Sequence, residues 1–209
     1  MRKMKKEEVL HLAKQFEEEG ELEILEKTKD YLLVFDGEKE SVIRFSETLD
    51  KVSLLEEIVE VLPQDIDKEK LIRLLSTLDD SLFLSVQKIL FFEGQEQYDD
   101  IMSQYFENMD MLDVDEELGK YLYFEDWVLI NMGLIKACAD DLALTENQYI
   151  EELNIGLWTT LLHELRHGYQ FTYLFQATQS DVDIEEDAED YGIQLFEQYI
   201  ESLDYVVTH

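Results

Sequence analysis

One stretch near the C-terminal end constrains this 209-residue chain more than any other. From about residue 147 to 175, Leu153, Leu157, Leu161, Leu165 and Tyr169 recur every four residues. That spacing places all five on one face of an α-helix. Thr145, Glu146, Asn147 and Gln148 stand at its start with side chains suited to capping it. The flanks WTTLL and GYQF are apolar, so the helix is expected to be central rather than peripheral. A polar segment, 176–182, then reads as a loop, and a last helix is expected over roughly 183–203, with Ala188, Tyr191, Leu195 and Tyr199 facing inwards.

The rest of the chain reads as mostly helical with a little sheet, an α+β class. Residues 4–19 carry Val9, Leu10, Leu12, Ala13 and Phe16 at helical spacing, and Gly20 is a stop signal. YLLVF (31–35) and SVIRF (41–45) flank Asp36-Gly37 and predict a β-hairpin. Ser53 begins a capping-box pattern, SLLE, and Pro63 breaks the chain. Three further helices are expected from Leu71, Leu74, Leu75 and Leu78, then Leu82, Val86, Ile89 and Leu90, then Ile101, Tyr105 and Met109. WVLINMGLI (127–135) is a strand or a buried helix. The acidic cluster 110–117 suggests a division near residue 120. Residues 1–120 then form a helical and hairpin region, and 121–209 a second unit, unless the two make one continuous domain.

Charge excludes some functions. Fifty acidic residues face seventeen basic ones, a formal net charge of -33. Such a surface repels phosphate, so direct nucleic-acid binding and binding to anionic membranes are not expected. The apolar runs are too short to span a bilayer, and no apolar signal core follows the basic start. The lone Cys138 cannot form an internal disulfide and is read as a small buried hydrophobe. A cytoplasmic location is expected.

The long helix contains His163-Glu164-Leu165-Arg166-His167, an HExxH motif. Residues i and i+4 lie one turn apart, with Cβ atoms about 5–6 Å from each other, so two neutral imidazoles can converge on one metal. Glu164 is turned about 100° from His163, towards a water rather than towards the metal. A third ligand must come from another segment. The acidic start of the last helix supplies Glu185, with Glu186 and Asp187 as alternatives. Glu189, one turn beyond Glu185, could accept the free N–H of a ligating imidazole.

These motifs resemble the gluzincin zinc metallopeptidases, especially the minimal single-domain forms and the ImmA/IrrE-type peptidases. In that group a helix with an E-x-x-x-D pattern follows the HExxH helix. Here seventeen residues separate HELRH from Glu185, and Glu189 stands where the family usually has Asp. The resemblance covers about 45 residues and implies a zincin-like core: HExxH helix, small sheet and third-ligand helix. It further implies Zn2+ held by His163, His167 and Glu185, with Glu164 as general base, and a peptide or protein substrate. Arg166 departs from the pattern and is expected to point outwards to an acidic neighbour. Tyr169, Tyr173, Tyr191 and Arg166 are the nearest groups for stabilising an oxyanion. The rival expectations are an acidic interaction protein that imitates a nucleic acid, and a zinc-stabilised scaffold without activity.

Overall fold

Two short runs without a charge in their apolar centres, Ile89–Phe92 and Trp127–Ile130, form the middle of the molecule. The computed structural model describes residues 6–45, 48–61, 63–105, 116–123, 125–142, 145–173, 181–199 and 207. Both runs are strands, β5 (Lys88–Phe92) and β7 (Trp127–Asn131), paired in parallel and buried almost throughout. Strands covered on both faces carry continuous apolar sequence rather than alternation. β4 (Val59–Val61) lies parallel to β5 on its far side, and β6 (Gly119–Leu122) lies antiparallel to β7. The order β4-β5-β7-β6 leaves β6 as one edge of the sheet.

Several sequence expectations are corrected here. Residues 82–90 are not a helix: a 3-10 turn (Asp80–Leu82) leads into β5. Leu82, Val86, Ile89 and Leu90 happen to fall at helical intervals because all four are buried. WVLINMGLI is neither one strand nor one helix, since β7 ends at Asn131 and α5 (Met132–Leu142) begins at once. Asp50, not Ser53, caps α2 (Lys51–Ile58), with Oδ1 accepting from the Ser53 amide at 3.3 Å. Cys138 is exposed on α5, not buried. In the four-stranded sheet β4 and β5 precede residue 120, β6 straddles it and β7 follows. The helix containing Ile101 is α4 (Gly94–Tyr105). Met109, most of the acidic cluster 110–117 and most of the loop 176–182 lie outside the described residues.

At the N-terminal end, α1 (Lys6–Glu19) stops at Gly20, whose φ of 76° suits glycine. The expected hairpin is β2 (Tyr31–Phe35) with β3 (Glu40–Arg44), and β1 (Glu23–Lys27) adds an unexpected third strand. Val9 and Ala13 of α1 pack on Leu32 and Val34. This unit docks through two cations. Arg44 reaches the Val86 carbonyl at 3.0 Å and Gln87 Oε1 at 3.2 Å. Lys39, half-buried, pairs with buried Asp126 at 2.7 Å in the β6–β7 connection. Asp126 also accepts from Tyr121 Oη at 2.5 Å, so the hairpin is tied to the edge strand β6.

The long helix is α6 (Glu146–Tyr173). Thr145 caps it, accepting from the Gln148 amide at 3.3 Å. Leu153, Leu157, Leu161 and Leu165 are all buried in the main core with β5 and β7, and α3 (Lys68–Leu75) packs into the same cluster. Trp158 and Leu162 are buried as well, so α6 is covered on more than one side. The last helix, α7 (Asp181–Tyr199), folds back on α6. Ala188 is fully buried, and a Cβ on Gly192 would lie 3.2 Å from the Thr159 carbonyl oxygen. No described helix is long and apolar enough to cross a membrane. Leu157→Ala should lower the unfolding free energy by about 2–5 kcal/mol in urea titration. A loss well under 1 kcal/mol would contradict this position at the centre of the core.

Candidate metal centre

The face of α6 that meets α7 carries the two imidazoles. His163 is half-buried and His167 is buried, their rings edge to face with centroids 4.5 Å apart. Their Nε2 atoms lie 2.9 Å apart. From the first turns of α7, Glu185 brings Oε2 to 3.4 Å from each Nε2. The three donors therefore form a triangle with edges of 2.9, 3.4 and 3.4 Å. An ion bonded to each at about 2.0–2.1 Å with tetrahedral angles would set them about 3.3–3.4 Å apart. Two edges match, and the third is shorter by about half an ångström, a small ring rotation. Among the described residues this is the group of His, Cys, Asp and Glu side chains arranged to hold a metal. Two nitrogens and one oxygen suit zinc.

Of the alternatives to Glu185, Glu186 is exposed and does not join the triangle, and Asp187 is engaged elsewhere. Arg166 Nε donates to Asp187 Oδ2 at 2.8 Å, and its second guanidinium arm donates to Oδ1 at 3.1 Å. Arg166 does find an acidic partner, but it points across to α7 rather than outwards and is largely buried. Its guanidinium lies 4.7 Å from the ring centroids of both Tyr169 and Tyr191. These three do not line the cleft beside the imidazoles, which corrects their place among the oxyanion candidates. The side chain of Tyr173 lies outside the described residues.

That cleft measures about 870 Å³ and is bounded by α6, α7 and the edge strand β6. Glu189 lines it. The Nδ1 atom of His167, however, meets Gln170 Oε1 at 2.9 Å. Gln170 was not singled out in the sequence, although its place three residues after His167 puts both on one face. Lys120 is the cation lining the cleft, paired with Glu117 at 3.1 Å. Burial pulls the His163 pKa down and His167 adds to this, while Glu185 and Glu189 act against it.

Glu164 faces the same cleft and is buried to 6% exposure. The Tyr121 backbone amide of β6 donates to its carboxylate. Gly119 makes this approach possible. A Cβ there would lie 2.6 Å from Thr160 Cγ2 and 3.0 Å from Glu164 Cγ. Burial, together with the charge of Glu185, pushes the Glu164 carboxyl up to about 8, against the Tyr121 amide. A bound cation would pull it back down. The chain matches no protein-family model, no curated protein and no solved structure.

The raised value has a consequence for stability. Between 4.5 and about 8 the unfolded chain has released this proton while the folded protein keeps it. The contribution of Glu164 is therefore fully present below 4.5 and is lost as pH rises through about 8. In urea unfolding without metal, the wild type should lose on the order of a few kcal/mol more than Glu164→Gln across this window. Equal losses in the two proteins would contradict the desolvated position of this carboxyl.

Proposed function

We propose that the chain is a zinc-dependent peptidase with a zincin-like core, in which His163, His167 and Glu185 hold the metal. The observation that carries this reading is the donor triangle with Glu164, a buried proton acceptor, beside it in one open cleft. Bound zinc would polarise a carbonyl and acidify a water. Glu164 takes the proton from the attacking water and passes it to the leaving amine. In the metal-free protein burial keeps this carboxyl protonated up to about pH 8, and a bound cation would lower that value and free the carboxylate to act as base. The Tyr121 amide holds the carboxylate in place during both transfers. Among the described side chains, Lys120 is the one positively charged group placed to meet an oxyanion.

The edge strand gives the substrate a binding mode. β7 lies inside the sheet, and β6 is the edge strand that borders the cleft. An extended peptide would add to β6 as a further strand, with main-chain hydrogen bonds aligning it along α6. The acidic surface, on this reading, serves solubility and repels nucleic acid.

Metal analysis after purification near neutral pH is expected to find about one zinc per chain. Glu164→Gln should retain that zinc and lower peptide hydrolysis by about 100- to 10,000-fold. Zinc-free protein would favour the acidic interaction protein. Zinc retained without turnover on any peptide library would favour the inactive scaffold. Wild-type rates in Glu164→Gln would refute the assigned base.

A further inference from the structure

Gln170 makes three contacts with one amide group. Its Nε2 donates to the Ile184 carbonyl at 2.9 Å and to Asp187 Oδ2 at 2.7 Å. Those two acceptors fix which end of the amide carries hydrogens, so Oε1 must face His167 Nδ1. An amide oxygen can only accept. His167 therefore carries its proton on Nδ1, and its Nε2 presents a lone pair to the triangle. The hydrogen shared by the two Nε2 atoms then belongs to His163 when no metal is bound.

The partners of this amide also bracket Glu185. Ile184 precedes it and Asp187 follows two residues later, both on α7. Asp187 is itself held by Arg166 of α6, one helical turn before Gln170, through Nε and one terminal guanidinium nitrogen. A series Arg166–Asp187–Gln170–His167 thus runs from α6 to α7 and back. Gln170 is 3% exposed, so in this site water is a poor substitute for either partner.

We propose that Gln170 is the positioning residue of the centre. It fixes the His167 ring as the Nδ1–H tautomer and sets Glu185 in register with that ring before any metal arrives. The proposal rests on reading the three donors as a metal site. It assigns Gln170, rather than Glu189, the orienting hydrogen bond to His167. Partners of this kind orient a ligating imidazole and raise metal affinity, typically by about 10- to 100-fold.

The test uses the full chain with two variants, Gln170→Leu and Gln170→Glu. Leu keeps the apolar bulk and removes the acceptor, while Glu keeps the acceptor towards His167 and loses the donor to Ile184 and Asp187. The ring tautomer is read by ¹⁵N NMR on metal-free protein, and zinc affinity by competition with a chelator, with folding checked by thermal melting. Wild type and Gln170→Glu should show the Nδ1–H form of His167. Gln170→Leu should lose it and bind zinc about 10- to 100-fold more weakly. An unchanged tautomer and unchanged affinity in Gln170→Leu would overturn the positioning role while leaving the zinc reading intact. A wild type that binds no zinc would defeat the zinc reading, and the metal-free tautomer would still decide whether Gln170 orients the ring. Should Gln170→Leu not fold, a wild-type or Gln170→Glu ring in the Nε2–H form would overturn the proposal.

Discussion

Burying a polar group without a partner is costly, and on the face of α6 that meets β6 and α7 the buried polar side chains are partnered. The Leu residues of α6 hold it in the core, so the side chains that share its turns are desolvated with it. Glu164 is answered by a backbone amide of β6. His167 is answered by Gln170, Gln170 by α7, and Asp187 of α7 by Arg166. The two imidazole nitrogens and the Glu185 oxygen are left facing one another. Each of these groups is placed by a neighbour that is itself placed, which is how a site keeps its geometry without a ligand present.

The surrounding fold supplies the approaches this needs. β6 can graze α6 because Gly119 has no side chain, and α7 can lie close because Ala188 and Gly192 are small. The N-terminal sheet contributes at a distance. Lys39 enters the β6–β7 connection and pairs with Asp126, which also holds Tyr121. Asp126 adopts a φ of 56°, a conformation that costs an ordinary residue on the order of 1 kcal/mol and that these two bonds offset. The hairpin is thereby connected to the strand that borders the cleft.

The helices α1, α6 and α7 and the β2–β3 hairpin were legible in the sequence, because their periodicity or turn residues are local signals. β5 was not. A strand buried on both faces has no alternation, and its apolar residues combined with Leu82 and Val86 to imitate a helix. The junction at Asn131 was hidden for the same reason: strand and helix are equally buried there, so the apolar run continues across it. β1 was missed because its residues are mostly exposed and charged, as an edge strand's often are. The HExxH spacing pointed directly to the imidazoles, since i and i+4 share a face in any helix. Which acid completes the triangle depends on how α7 rotates against α6, and that rotation is set by contacts of Asp187 and Gln170 that no spacing rule encodes. Cys138 looked buried by residue type alone and is exposed because α5 turns that face outwards.

The central claim is that two helices share one metal ion. X-ray absorption at the zinc edge on the purified protein addresses it directly. The account predicts a low-coordinate zinc with two imidazole nitrogens at about 2.0–2.1 Å and carboxylate oxygen at about 2.0–2.2 Å. An ion surrounded only by oxygen, with no imidazole scattering, would contradict it.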